Sequence, residues 1–286
     1  LTITPPSNSD ADFTLTVTST SVDGTSVAST SQTLLVTVNP VADTPNLAVS
    51  PASGNEDTAI GLSISTSATD PTETVSVTIS GVPTGAVLSA GSNAGNGVWT
   101  LTPAQLASLT ITPPSNSDAD FTLTVTSTSV DGTSSASTSQ TLAVTVNPVA
   151  DTPNLTVSPA SGNEDTAIAL SISTSATDSS ESVSVTISGV PSGAALSAGT
   201  NAGNGVWTLT PSELVSLTIT PPSNSDADFT LTVTSTSVDG TSSASTSQTL
   251  AVTVNPVADT PNLTVSPATG NEDTAIALSI STSATD

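Results

Sequence analysis

Apolar and hydroxyl-bearing residues alternate along most of this chain. In Ser182-Val-Ser-Val-Thr-Ile-Ser188 and Phe229-Thr-Leu-Thr-Val-Thr-Ser235, branched or aromatic residues fall on one side of an extended segment and hydroxyls on the other. A period of two is the signature of a half-buried strand. Within 151–258 it predicts seven strands: Leu155–Ser158, Ala167–Ser173, Ser182–Ser188, Val206–Leu209, Leu217–Thr220, Phe229–Ser235 and Thr249–Asn255. Pro211-Ser-Glu-Leu214 predicts a single helical turn before the fifth. Trp207 and Phe229 are the largest candidate core side chains, with packing as their expected role.

The pattern recurs. Pro5-Pro6 returns as Pro113-Pro114 and Pro221-Pro222, Asp43 as Asp151 and Asp259, and Trp99 as Trp207, a spacing of 108 residues. That length suits a whole domain and not a solenoid coil. Val-Asn-Pro-Val-Ala-Asp-Thr-Pro at 38–45, 146–153 and 254–261 interrupts the alternation and marks the junctions. The expected organisation is the end of a repeat at 1–42, complete repeats at 43–150 and 151–258, and the start of another at 259–286. The chain then reads as a window onto a longer tandem array. About eleven positions differ between the two complete repeats, mostly small swaps such as Gln105 for Glu213. Such similarity implies neighbours doing the same job, for length or avidity. Seven short strands per repeat predict an all-β fold of tandem Ig-like Greek-key β-sandwiches in a linear rod.

Composition narrows the function. The 286 residues include 24 Asp plus Glu and no Lys, Arg, His or Cys. Phosphate neutralisation needs cationic side chains, so a nucleic-acid partner is excluded, and so is direct contact with an anionic membrane. Ser-His-Asp and Cys-His catalysis, thiolate or imidazole zinc sites and disulfides are absent for want of residues. No apolar run is long enough for a transmembrane helix. A carboxylate pair could in principle cleave glycosides, but near-identical tandem units with one Trp each read as non-enzymatic.

Five motifs in order carry a family resemblance: Gly-Asn-Glu-Asp-Thr-Ala-Ile-Ala-Leu (162–170), Val-Thr-Ile-Ser-Gly-Val-Pro-Ser-Gly-Ala (185–194), Asn-Gly-Val-Trp-Thr-Leu-Thr-Pro (204–211), Asp-Ala-Asp-Phe-Thr-Leu-Thr-Val (226–233) and Val-Asn-Pro-Val-Ala-Asp (254–259). Together they resemble the cadherin-like tandem repeats of giant bacterial RTX adhesins. The resemblance implies type I secretion, an extracellular place on the bacterial cell surface, and Ca²⁺-stiffened extender domains. Such domains hold an adhesive tip away from the cell for adhesion or biofilm formation. The loop after Asp70 or Asp178 departs from the pattern, reading Pro-Thr-Glu or Ser-Ser-Glu where relatives carry a denser acidic run.

Strands running alternately up and down send each loop to one pole of its sandwich. Glu164, Asp226 and Asp228 then share the C-terminal pole with the exit at Asp259, while Asp178, Glu181 and Asp239 share the N-terminal one. Carboxylates a few ångströms apart repel by about 1 kcal/mol per pair in water and by several times that when partly desolvated. Without a basic residue, a divalent cation is the relief expected, and an all-oxygen donor set of flexible geometry suits Ca²⁺. The predicted ligand sets are Asp10, Asp12, Asp43 and Asp70; Glu56, Asp118, Asp120, Asp151 and Asp178; and Glu164, Asp226, Asp228, Asp259 and Asp286. Asp131 and Asp239, each before Gly, read as ordinary turn residues. Asp57, Asp165 and Asp273 read as caps of the following turn. Besides calcium and neighbouring repeats of the chain, the partners considered are surface glycans bound weakly and multivalently, ice through the Thr-x-Thr strands, and self-association into a filament or layer.

Overall fold

The computed structural model describes residues 1–284, and the chain divides into two compact units, Leu1–Asn147 and Pro148–Asp286. The division falls inside the Val-Asn-Pro-Val phrase, where a proline without an N–H ends the preceding strand.

In the first unit, β1 (Phe13–Asp23) and β2 (Ser26–Val36) form an antiparallel hairpin. There follow β3 (Asn46–Ser50), β4 (Ala52–Asn55), β5 (Ile60–Gly61), β6 (Ser63–Ser67), β7 (Thr74–Ser80), β8 (Val87–Leu88), β9 (Ser92–Gly95) and β10 (Val98–Leu101). A 3₁₀ turn at Pro103–Leu106 leads to β11 (Thr110–Thr112), β12 (Phe121–Asp131) and β13 (Ser134–Asn147). One sheet has the order β4-β13-β12-β7-β10-β9; β5-β11-β8 and β3-β6 form smaller sheets.

Alternation decides which residues the layers share. Val77, Ile79, Leu123, Val125, Leu142 and Val144 project from the large sheet into one cluster with Ile60, Ile64, Leu88 and Ile111 of the smaller sheets. Fully burying each such side chain contributes about 1.5–3 kcal/mol. The intervening hydroxyls face outward and pair across strands, as Thr126 Oγ1 does with Ser139 Oγ at 2.8 Å. The second unit repeats the plan: Ala160–Asn163, Ser242–Asn255, Phe229–Asp239, Ser182–Ser188, Val206–Leu209 and Thr200–Gly203 make its six-stranded sheet. The architecture is thus all-β and Ig-like, with only short 3₁₀ turns as helix among the described residues. Among the described residues no helix is long and apolar enough to cross a membrane.

Four details differ from the sequence expectation. The expected strand Ala167–Ser173 is two, Ile168–Ala169 beside Thr218–Thr220 and Ser171–Ser175 beside Asn154–Ser158. The hairpin strands run to Asp239 and begin at Ser242, because serines and threonines paired across the ladder continue it where apolar alternation has stopped. Pro159 bends the first strand so that Ala160–Asn163 crosses to the other sheet and runs parallel to Val252–Asn255. Thr200–Gly203 and Ala195–Leu196 are further short strands at sheet edges. In the second unit Trp207 and Phe229 are only partly buried and pack against an aliphatic centre, whereas Trp99 of the first unit is a buried member of its core.

Candidate metal centre at the domain poles

The parallel strand β4 brings Glu56 to the end of β13. Its N–H donates to Asn147 O at 3.1 Å, and its side chain is 2% exposed. At the same pole Asp120 Oδ1 accepts the Val146 N–H at 2.8 Å, and Asp118 is half-buried. The second unit is built alike. Glu164 N–H donates to Asn255 O, Glu164 Oε1 accepts the Val257 N–H at 2.6 Å, and Asp228 Oδ1 accepts the Val254 N–H at 2.8 Å. Glu164 is 3% exposed, yet its Oε2 has no hydrogen-bond partner. Asp226 and Asp259 are exposed, and Asp286 lies outside the described residues.

At the opposite pole of the first unit, Asp10, Asp43, Asp70 and Asp131 line one pocket of about 290 Å³ together with Asn8 and Asn39. The structure therefore brings three members of the first predicted set together. Asp12 is not among the lining residues; its Oδ1 instead accepts the Val38 N–H at 2.8 Å. Asp131, expected to be an ordinary turn residue, faces the pocket. Loss of water around it raises its pKa, the negative charges of Asp10, Asp70 and Glu73 push the same way, and a hydrogen bond from the Val41 backbone opposes them.

The corresponding pole of the second unit is tighter. Carboxylate oxygens of Asp178 and Asp239 lie within 4.8 Å of each other, and both residues are buried. Asp178 is oriented by its own turn, with Oδ1 accepting the Ser180 N–H and Oδ2 the Ser180 hydroxyl. Asp239 Oδ2 and Ser237 Oγ are buried without a partner. Asp239 is thus a second correction to the turn reading. The strand count puts this hairpin end at the pole of Asp178 and Glu181; what the Asp-Gly signal does not give is that Asp239 is buried there against the Asp178 carboxylate.

Glu73 and Glu181 were absent from the predicted sets. Glu73, 8% exposed, accepts the Asp43 N–H through Oε1 at 2.5 Å and the Ser129 hydroxyl through Oε2 at 2.5 Å. Glu181 accepts the Asp151 N–H through Oε1 and the Asp178 N–H through Oε2 at 3.3 Å. Asp57 and Asp165, expected as local caps, instead staple two loops: each Oδ1 accepts a backbone N–H far along the chain, Asn116 at 2.9 Å and Asn224 at 3.0 Å.

A hard cation suits these donors. They are carboxylate, amide, hydroxyl and carbonyl oxygens, and Glu164 Oε2 and Asp239 Oδ2, buried without hydrogen bonds, offer lone pairs of the kind such a cation takes. Away from the poles, a polar groove of about 530 Å³ in the second unit is lined by Pro191, Ser192, Asn201, Asn204, Gly205 and Trp207. It has no charged lining residue.

No protein-family model and no curated protein matches the chain. Among solved structures it is similar to titin domains Z1Z2 in complex with telethonin, at 11% identity over 76% of this chain and 100% of that one, with a TM-score of 0.32. It is also similar to Drosophila N-cadherin EC1-4, at 14% identity over 96% of this chain and 68% of that one, TM-score 0.28. Mouse protocadherin-24 EC1-3 is 13% identical over 85% of this chain and 80% of that one, TM-score 0.32. At these values the likenesses carry no functional weight, and the chemistry rests on the residues above.

Proposed function

We propose that this chain is part of the extender region of a large bacterial cell-surface adhesin of the RTX type. In this reading 43–150 and 151–258 are its complete repeats, with calcium bound at their poles and no enzymatic role. The observation that supports it most is the pair of buried, unpartnered carboxylate oxygens, Glu164 Oε2 and Asp239 Oδ2, in a chain without a single basic side chain. Leaving such groups without compensation costs several kcal/mol per ion. Bound calcium would supply the positive charge and six to eight oxygen positions. The chain's own part is to present the donors: Asp10, Asp43, Asp70 and Asp131 at one pole, Asp178 with Asp239 and Ser237 at another, and Glu164 at the third. Stiffness follows because a cation shared between a domain and its linker removes hinge freedom that a short Pro-containing connection keeps. The test is small-angle scattering and thermal melting of the chain in calcium and in chelator. The expected result is a longer maximum dimension and a higher melting temperature in calcium; no change in either removes calcium from the account.

A second reading has one observation behind it, the uncharged groove at Trp207. Its amides and serine hydroxyl suit a neutral sugar, and tandem repetition would convert weak binding into avidity. The only two tryptophans, Trp99 and Trp207, occupy equivalent positions. Titration with neutral saccharides should change tryptophan emission saturably if this reading holds, and an unaltered spectrum counts against it.

A further inference from the structure

We infer that Glu73 and Glu181 are positioning residues that latch each linker to the domain following it through hydrogen bonds that require no cation. Consecutive linker amides are taken by side chains of one pole. In the first unit Val41 bonds through its backbone to Asp131, the Ala42 N–H donates to Ser134 Oγ at 3.0 Å, and the Asp43 N–H donates to Glu73 Oε1. In the second unit the Ala150 N–H donates to Ser242 Oγ at 3.0 Å and the Asp151 N–H to Glu181 Oε1. The motif is therefore formed twice, at equivalent positions, by two loops far apart in sequence: one after the second-layer strand, carrying the Glu, and the tip of the long hairpin, carrying the Ser.

Both oxygens of each Glu are already engaged with donors. This assigns them a role distinct from that of Asp239, whose Oδ2 has none. Hydrogen bonds from a backbone N–H to a carboxylate are stronger than neutral ones and shorter. They need no metal. What they fix is the backbone from which Asp43 or Asp151 projects, so the linker carboxylate is delivered to the pole with its conformational entropy already lost. In Glu73 the second oxygen is tied to the Ser129 hydroxyl, which is fully buried in β12, so the latch is anchored to the core sheet and not to a loose loop. The consequence for affinity rests on the calcium reading; the latch itself does not.

The experiment uses the full chain, wild type against E73A/E181A and E73Q/E181Q. Amide hydrogen exchange is followed by NMR in chelator, and calcium binding by calorimetry. In chelator the Asp43 and Asp151 amides of the wild type should be protected. Alanine should speed their exchange by about tenfold or more, and glutamine, whose side-chain oxygen still accepts, should restore most of the protection. Calcium affinity should fall about tenfold in the alanine variant with stoichiometry unchanged, because a pre-ordered ligand has been lost and not a ligand. Exchange rates indifferent to alanine would overturn the latch, and so would a drop in stoichiometry, which would make the glutamates ligands. A wild type that binds no calcium but keeps Glu-dependent protection would sink the calcium reading and leave the latch supported. If E73A/E181A does not fold, the glutamine variant against S134A/S242A decides: the serine change should free the Ala42 and Ala150 amides, leaving Asp43 and Asp151 protected.

Discussion

Two single residues show how the linker is seated. Gly132 at the hairpin tip has φ +54°, and a Cβ built on it would stand 2.7 Å from Pro40 Cγ; Gly240 repeats this with φ +53° against Pro148 Cγ at 2.7 Å. The positive φ is what the two-residue hairpin connection calls for, and the close proline leaves no room for a side chain, so turn and linker contact separately favour glycine. Gly132→Ala and Gly240→Ala should each destabilise their unit by about 1–2 kcal/mol from the backbone alone, with more from the proline contact. Chemical denaturation should show it as a lower midpoint with the slope kept. Asp131 offers a different test. Its folded-state pKa is raised, so the fold favours the protonated form. Its contribution to stability is therefore fully present below the unfolded-state pKa and is lost as pH rises through the folded value. In chelator the first unit should melt higher as pH is lowered from neutral toward the carboxylate range. Asp131→Asn, neutral at every pH, should reduce that slope; an identical slope in the variant would mean other carboxylates carry the effect.

Short elements distinguish the two repeats. The 3₁₀ turn Pro103–Leu106 is capped by Gln105, whose Oε1 accepts the Thr102 N–H at 2.9 Å, whereas in Pro211–Leu214 it is Glu213 Oε2 that accepts the Thr210 N–H at 2.7 Å. The Thr210 backbone and then its hydroxyl hold the Glu213 carboxyl below its ordinary pKa. A depressed carboxyl stabilises above its unfolded pKa and stops doing so as pH falls through the folded value. Acid should therefore loosen this turn only in the second repeat, and Glu213→Gln should abolish the difference; Thr210 amide shifts against Thr102 would report it. The turn was legible in the sequence because Pro at its first position is a strong signal. The central strands were legible for an equally local reason, their apolar alternation. The serine-rich start of β13 was not, since Ser134-Ser-Ala-Ser-Thr-Ser offers no apolar face and is held by its partner strand. Two of the extra strands extend predicted ones, Ala160–Asn163 as the second half of a bent strand and Thr200–Gly203 as the edge of a hairpin with Val206–Leu209, whereas Ala195–Leu196 is a separate short strand beside Thr218–Thr220. What sequence could not reach was the site's inner detail. That Glu73 and Glu181, with Ser134 and Ser242, bind linker amides depends on pairings 30 and 92 residues apart that no local pattern encodes, and the strand count that put Asp239 at its pole could not show its burial beside Asp178.

At the scale of the whole molecule the net charge of −24 acts on every element at once. The outward face of the large sheet carries hydroxyls, while the buried carboxylates among the described residues, Glu56, Asp70, Glu73, Glu164, Asp178 and Asp239, lie in loops or, for Asp239, at a strand end. Repulsion is therefore concentrated where loops converge, and two things can relieve it: screening by mobile ions or ligation of a fixed one. They differ in range. At 0.01 M monovalent salt the screening length is about 30 Å and at 0.1 M about 10 Å, so within this interval repulsion between exposed carboxylates is strongly reduced. Ion exclusion effects that strengthen apolar burial need far higher concentrations and certain anions. In chelator, raising sodium chloride from 0.01 to 0.1 M should thus raise the melting temperature of both units, and sodium nitrate should match it. With calcium present the same addition should do less. A ligated cation neutralises the carboxylates at contact distance, where mobile ions cannot compete by screening, and added salt then also weakens the long-range attraction of calcium to the poles. Each tenfold increase of calcium above its dissociation constant should add about 1.4 kcal/mol per occupied site, a dependence that sodium lacks. A salt response equal in calcium and in chelator would mean that the poles are relieved by screening alone, and that their carboxylates are spaced for solubility and not for an ion.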